Sequence, residues 1–410
     1  MRKFMSIVLL FGAVSIMAQQ TITVRVSNPS ESARTDEPVV IQFAPYSSLS
    51  PYRDVCSAIV TLDGQEIPCQ LDDLDQDDIF DELCFLIDLK GKETKTYDIQ
   101  LFSEGEPHQY PARVFAEMLI RNDKVKEKNK HNNFLESITA RGDCANSYNL
   151  QHHHGVDFES ELNGIRIYFD KRQTLDLYGK FQKRLELQAT QFYTSKEQKA
   201  EGYGDDVLWV GNTFGLGAFR GWDGQQPTMI DPVRSRTQRI ISYGPLRTIV
   251  EVFDRGWQAT PGKPALNMLL RYIQYAGHRD TDVEVIFNRP VPDYQFSTGI
   301  INVKGSEEFS DKKGLRACWG TDWPSGDTIN FKRETVGLGI CIPLEYIKSE
   351  ESANKDNYAF VVGTENDRLK YRVIYCSNNE NFGYHSSREW FEFLKEWKKE
   401  VADKPIKVEY

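Results

Sequence analysis

Apolar and polar residues alternate in short runs along almost the whole chain, with only a few polar or turn-forming residues between runs. A period of two marks a half-buried strand. Thr21 to Ser27 puts Ile22, Val24 and Val26 on one face, and Pro38 to Phe43, Ala58 to Leu62, Gln65 to Leu71, Cys84 to Leu89 and Thr96 to Leu101 follow. Asp63-Gly64 stands between two of these runs and is a strong hairpin signal. Six or seven short strands in about 85 residues is the pattern of an immunoglobulin-like β-sandwich. Residues 19–105 are therefore the expected first domain.

The rest, 106–410, continues in the same manner. Candidate strands are Val114 to Ile120, Ile165 to Asp170, Leu175 to Tyr178, Val207 to Val210, Thr237 to Tyr243, Thr248 to Phe253 and Leu269 to Tyr275. Val283 to Phe287, Ile300 to Val303, Gly337 to Ile342, Tyr358 to Val362 and Tyr371 to Tyr375 complete the series. No long amphipathic helices are interleaved, which excludes a parallel α/β architecture. The pattern predicts an all-β chain whose second domain is one large antiparallel β-sandwich, a supersandwich. One helix is expected near the end, where Ser386 and Glu389 form a capping box and Trp390, Leu394, Trp397 and Val401 share a face. Residues 122–164 read as a long polar insertion, and such loops are often functional.

The N-terminus narrows the compartment. Arg2 and Lys3 precede an apolar run from Ile7 to Met17, and Ala18 is a small residue at the expected cleavage point. The run is shorter than the roughly 20 apolar residues that span a bilayer, and no lipoprotein cysteine follows it. Residues 1–18 are read as a cleaved signal peptide, giving a periplasmic or secreted protein without a membrane anchor. With 50 basic and 60 acidic residues, the net charge of −10 argues against nucleic-acid binding. Nucleotide cofactors are scarce outside the cytoplasm, so no cofactor is expected. The seven cysteines form no C-x-x-C pair and mostly sit in apolar runs, so disulfides are permitted but not indicated.

Three regions could carry chemistry. Gln151-His152-His153-His154-Gly155 holds three of the seven histidines. An imidazole there could serve in acid–base catalysis or substrate contact. Alternatively His152 and His154, which share a face if the segment is extended, could hold a metal with Cys144 or Asp157, or all three could simply bond backbone groups. In Ile165-Arg166-Ile167-Tyr168-Phe169-Asp170 a strand would bury the apolar residues and present Arg166, Tyr168 and Asp170 on the other face, either to solvent or to a groove. Between residues 201 and 250 five arginines (Arg220, Arg234, Arg236, Arg239, Arg247) occur with no lysine, among aromatics that include Trp209 and Trp222. Arginine suits forked recognition of carboxylates, although five acids in the window allow internal ion pairs instead.

Other motifs fail. Gly215-Leu216-Gly217-Ala218-Phe219-Arg220-Gly221 has the wrong spacing for a dinucleotide loop. Asp73-Leu74-Asp75-Gln76-Asp77-Asp78 begins like an EF-hand but lacks its turn glycine and has Cys84 where the bidentate glutamate belongs, so it reads as a solvated loop. No G-x-S-x-G elbow supports serine hydrolysis.

The mature chain resembles the exported family known as domain of unknown function 4861. The resemblance is carried by Asp63-Gly64, Gln70-Leu71-Asp72-Asp73, Asp81-Glu82-Leu83 and His153-His154-Gly155. It continues through Gly164-Ile165-Arg166-Ile167-Tyr168-Phe169-Asp170-Lys171-Arg172, Asp176-Leu177-Tyr178-Gly179-Lys180, Val210-Gly211-Asn212-Thr213-Phe214-Gly215-Leu216-Gly217 and Trp222-Asp223-Gly224. It implies a large β-sandwich and work on uronate-containing oligosaccharides, one relative being similar to an ulvan oligosaccharide dehydratase. The resulting expectation is a carbon–oxygen lyase acting by β-elimination, either dehydratase or polysaccharide-lyase-like. Its partner is a uronate oligosaccharide, with no protein partner predicted. Arg166 would hold the carboxylate, and Tyr168 and His154 would divide the acid and base roles. His153, Lys180, Arg220, Trp222, Arg247 and His278 are the expected substrate contacts, and metal binding stays open. The alternatives are a non-catalytic glycan binder and a glycoside hydrolase using carboxylates among Asp157, Glu159, Glu161 and Asp170.

Overall fold

The computed structural model describes residues 19–43, 55–127 and 129–410, so the expected signal peptide lies outside the described residues. The chain is all-β with a C-terminal helix. In the N-terminal sandwich one sheet runs in the order Lys407–Glu409, Gln19–Ser27, Thr94–Phe102, Ser57–Leu62, Gln65–Ile67. The facing sheet is Arg34–Gln42, Glu82–Leu89, Cys69–Asp72. Asp63 and Gly64 both have positive φ, 52° and 77°, as the expected two-residue turn requires. The single run read over Gln65 to Leu71 is interrupted at Pro68, which has no N–H for a ladder. Gln65–Ile67 consequently stays with the first sheet, whereas Cys69–Asp72 joins the second. Val24, Val26, Val39, Ile41, Phe85 and Ile99 fill the space between the sheets. The end of the chain returns to this sandwich, where Lys407–Glu409 pairs antiparallel with Arg25 to Ser27.

The larger part is built on a nine-stranded sheet. Its order is Glu307–Ser310, Leu315–Asp322, Glu334–Cys341, Arg368–Ser377, Asp280–Phe287, Leu266–Tyr275, Arg247–Trp257, Ser235–Tyr243, Ser137–Arg141. Two five-stranded sheets accompany it. One, in the order Asp205–Asp206, Leu175–Gly179, Gly164–Tyr168, Gly155–Ser160, Val114–Glu117, carries the site described below. Its Ala116, Val156, Phe158, Ile165, Ile167, Leu175 and Leu177 enter one core with Val250, Val252, Leu270 and Tyr272 of the nine-stranded sheet.

Two local expectations need correction. Residues 122–164 are not simply a loop, because they contain the strands Ser137–Arg141 and Gly155–Ser160. Val207 to Val210 is no strand; the pairing residues are Asp205–Asp206 just before it. The helix forms as expected over Ser387–Ala402. Ser386 Oγ accepts from the Glu389 N–H, but the Glu389 carboxylate reaches back to the N–H of His385 rather than completing a box with Ser386. Trp390, Leu394 and Trp397 are buried against the nine-stranded sheet. All seven cysteines are free, and among the described residues no helix is long and apolar enough to cross a membrane.

The two parts are joined by polar contacts, those of Gln70 buried. Gln70 Oε1 accepts from the N–H groups of Leu246 and Arg247, while its amide donates to Ser242 Oγ and the Arg247 carbonyl. Arg113 bridges Asp36 and Glu161.

Candidate active site

Register builds the site. In the five-stranded sheet Glu117 stands opposite Asp157, Asp157 opposite Arg166 and Arg166 opposite Asp176. Side chains directly opposite in a ladder share a face. Since Val156, Phe158, Ile165, Ile167, Leu175 and Leu177 take the core face, these four charged groups form a row on the other one. That face is not solvated. Phe192 lies against the Arg166 guanidinium, 4.1 Å from ring centroid to Cζ. Glu159 fixes the covering segment by accepting from the N–H groups of Glu186 and Leu187.

At the outer end of the row the groups converge on a cleft of about 410 Å³. Tyr148, His154, Arg166, Tyr168, Arg172, Asp176, Tyr193, Asp206 and Trp209 line it, with Phe331 and the 324–327 turn on the far side. The three residues expected to do the chemistry, His154, Tyr168 and Arg166, therefore meet. Arg166 donates to Asp176 through Nε and Nη2, to Asp206 at 3.1 Å and to Tyr168 Oη at 3.1 Å. Tyr168 Oη in turn donates to Asp176 at 2.6 Å. Burial raises the Tyr168 phenol well above its usual range, so it stays protonated. The same cause, with Asp176 alongside, raises Asp206 well above the usual carboxylate range.

His154 has an assigned tautomer. Its Nδ1 is 2.9 Å from the Tyr148 carbonyl, which can only accept, so Nδ1 carries the proton and Nε2 keeps its lone pair. Burial depresses its pKa to about 4, leaving the ring neutral. The turn that presents it is unusual, because His154 has φ of +69°. The next residue must be glycine, since a Cβ on Gly155 would lie 1.7 Å from the Ile167 carbonyl oxygen. This accounts physically for the His-Gly step.

The turn separates the three histidines in a way the sequence did not suggest. His152 and His154 turn to different partners. His152 stacks on His131 at 3.9 Å, whereas His154 stacks on Tyr148 at 3.8 Å. It is His153 that points at acids: its Nε2 is 3.4 Å from Asp157 Oδ2 and 3.8 Å from Glu117 Oε1. His153 is therefore sealed away from the cleft rather than placed to contact substrate. Burial holds His153 neutral, with a pKa of about 3, and raises Glu117 to about 8. A second acidic group, Asp73, Asp75 and Asp81, brings its carboxylates within 4.8 Å of one another in a half-exposed loop, with Asp73 accepting from the N–H groups of Gln76, Asp77 and Asp78.

The remaining expected contacts lie elsewhere, mostly for electrostatic reasons. Lys180 is buried on Glu159 and on the carbonyls of Ser160 and Arg184. Arg220 is buried on Thr174 and the Thr213 carbonyl, and burial without a carboxylate partner lowers its pKa to about 10. Trp222 ends the strand Arg220–Trp222 in the other five-stranded sheet and does not line the cleft. Arg247 is consumed between the two sandwiches by Asp72 and Glu82. His278 bonds Asp36 and Asp280, also at that junction. Of the carboxylates considered for hydrolysis, Asp157 and Glu159 are buried, Glu161 pairs with Arg113 and Asp170 with Arg172.

Conversely, Arg172, Asp176, Tyr193 and Asp206 line the cleft without having been among the expected catalytic or substrate-contact residues. Arg172 has the clearest signal in retrospect, standing two residues beyond Asp170 and stacked over Tyr148 and Tyr168 at 4.9 and 4.8 Å. Trp209 is 55 % exposed and forms one wall, with Gly326 close against its ring.

The family model described as domain of unknown function (DUF4861) matches residues 26–408. The chain belongs to that family. No curated protein matches this DUF4861 chain significantly. Among solved structures, an α-mannosidase from Enterococcus faecalis V583 is similar at 10% identity and a TM-score of 0.48, over 95% of this chain and 46% of that one. A glycosyl hydrolase family 38 protein from Enterococcus faecalis is similar at 8% identity and 0.48, over 95% and 47%. The DUF4861 chain thus spans less than half the length of either, and a likeness at this level bears on neither substrate nor chemistry.

Proposed function

We propose that this protein is an exported carbohydrate-active lyase that eliminates water or a glycosyl group from a uronate-containing oligosaccharide. The observation that supports it best is the meeting of His154, Tyr168 and Arg166 on one open cleft beside Trp209. The two proton-handling groups have environments that separate their roles. His154 offers an unprotonated Nε2, whereas Tyr168 keeps its proton and has a guanidinium beside it.

In this reading the uronate carboxylate lies against Arg166 and Arg172, which stabilise the charge that develops as the C5 proton leaves. His154 Nε2 takes that proton, the C5–H electrons form the C4–C5 double bond, and the C4–O bond breaks. The leaving oxygen takes the Tyr168 proton, and the resulting phenolate is held by Arg166. An aromatic wall at Trp209 suits the apolar face of a sugar ring.

The test is incubation of the purified protein with a panel of uronate oligosaccharides, followed by near-ultraviolet absorbance and mass spectrometry. A new conjugated product supports elimination. Loss of one water identifies a dehydratase, and two fragments, one unsaturated, identify a lyase. Saturated fragments would instead make the protein a hydrolase, and tight binding of unchanged ligand would make it a glycan-binding protein.

A further inference from the structure

The inner end of the charged row has a property its outer end lacks. Arg166 and Asp176 satisfy one another, but every side-chain polar atom of Glu117, His153 and Asp157 is buried without a hydrogen-bond partner. The three residues are 2 %, 0 % and 0 % exposed, and one donor atom from each lies within 4.8 Å of the others. A buried polar group left unpaired is costly, and two carboxyls with an imidazole in one buried site are costlier still.

We propose that Glu117, His153 and Asp157 bind one divalent first-row transition-metal ion, zinc or manganese, which fastens the histidine turn to the sheet. Nothing in this depends on the elimination reading; it concerns how the site is held together.

Geometry favours a metal over a simple ion pair. His153 Nε2 is 3.4 Å from Asp157 Oδ2 and 3.8 Å from Glu117 Oε1, too far for the roughly 2.7–2.9 Å of a charge-assisted hydrogen bond. Ligands bonded at about 2.0–2.2 Å to one tetrahedral ion sit roughly 3.4 Å apart, close to the 3.4 and 3.8 Å from His153 Nε2 to the two carboxylates, and all three donors lie within 4.8 Å of one another. Charge agrees as well. Two carboxylates and a neutral imidazole around a divalent ion leave the buried site without net charge. One nitrogen with two oxygens suits zinc or manganese better than calcium, which takes six to eight oxygens.

The backbone supplies the preorganisation. Asp157 and Glu117 are opposite one another in the ladder, and His153 reaches them across the tight turn that Gly155 permits. His154 immediately follows His153, so a metal here would fix the residue that faces the cleft.

The experiment uses the mature protein produced in medium supplemented with zinc or with manganese. Elemental analysis is expected to find about one ion per chain, the two media distinguishing the metals. Chelation should lower Tm by several degrees and the same ion should restore it, because an ion that binds only the folded state stabilises it. Cobalt(II) added to the stripped protein should give a visible absorption band. Glu117→Gln with Asp157→Asn should hold no ion and show a Tm indifferent to chelator. If the variant does not fold, the wild-type ion content, Tm response and cobalt spectrum decide alone. Wild-type protein that holds no ion and whose Tm ignores zinc, manganese and chelator would overturn the proposal, as would an undiminished ion content in the variant.

Discussion

His154 donates from Nδ1 to the carbonyl of Tyr148 at 2.9 Å while its ring stacks on the Tyr148 ring at 3.8 Å. One residue thus sets both the tautomer and the plane of the imidazole. His154→Asn tests its role cleanly, since asparagine tolerates the positive φ of this position but supplies no base. We expect kcat to fall roughly 10²–10⁴-fold with KM and Tm little changed, measured by near-ultraviolet product formation and thermal unfolding. Wild-type turnover in this variant would remove the histidine from the chemistry.

Tyr168→Phe removes the proton donor while leaving Arg166 paired with Asp176 and Asp206. Loss of one buried hydrogen-bonding hydroxyl should cost about 1 kcal/mol of stability, far less than its effect on rate. A substrate with a good leaving group needs less protonation at the departing oxygen. The variant should therefore lose roughly 10²-fold or more on the natural substrate and much less on a uronate whose C4 oxygen carries an electron-poor aryl group. Equal losses on both would assign the phenol to positioning.

What the sequence disclosed and what it hid have one physical origin. Alternation located Ile165-Arg166-Ile167-Tyr168, but a polar sheet face has the same pattern whether water or another segment covers it. Only the folded chain shows Phe192 and the 186–193 segment lying over Arg166. The adjacent strand Gly155–Ser160 alternates equally well, yet Asp157 and Glu159 made it read as loop, because buried carboxylates are rare. His153 and Asp157 are close in sequence, but Glu117 is distant from both, and only the ladder register brings it to them. The arginine-rich window allowed either carboxylate recognition or internal ion pairs, and the second holds for Arg236, Arg239 and Arg247. None of its members reached the cleft, since Arg236 and Arg247 are bound to buried acids.

Trp209 presents an exposed ring to the cleft while making few polar commitments. Trp209→Ala should raise KM about three- to tenfold, the equivalent of a stacking contribution of roughly 0.5–1.5 kcal/mol, with kcat less affected. Steady-state kinetics on oligosaccharides of increasing length would show the effect growing once the chain reaches this wall. A pure kcat effect would argue that the ring shapes the turn near Gly326 instead.

Arg247 joins the two sandwiches. Arg247→Met would leave Asp72 and Glu82 buried without their cation, a change that typically costs about 3–5 kcal/mol. Urea unfolding should register that loss, and activity per folded molecule should be unchanged because Arg247 lies away from the cleft. A selective rise in KM, with stability intact, would return this arginine to substrate binding.

The same junction carries a pH dependence. Burial opposes the charged form of His278, but the hydrogen bond and charge of Asp280 and the Asp36 carbonyl outweigh it, raising the imidazole to about 9 from 6.5. Arg372 acts against this rise, while Asp282 and Glu400 are the other charged groups nearby. A group whose folded pKa is raised contributes stability that is complete below the unfolded value and lost as pH climbs through the folded one. The contribution of His278 is therefore whole below about 6.5 and gone above about 9. Since other buried groups titrate in this window, the informative quantity is the difference between wild type and His278→Gln. Wild-type Tm should exceed that of the variant most at pH 6 and converge on it by pH 9.5 or so. A difference that stays constant across the window would mean that His278 contributes by packing and its neutral hydrogen bond to Asp36, without the charge on its ring.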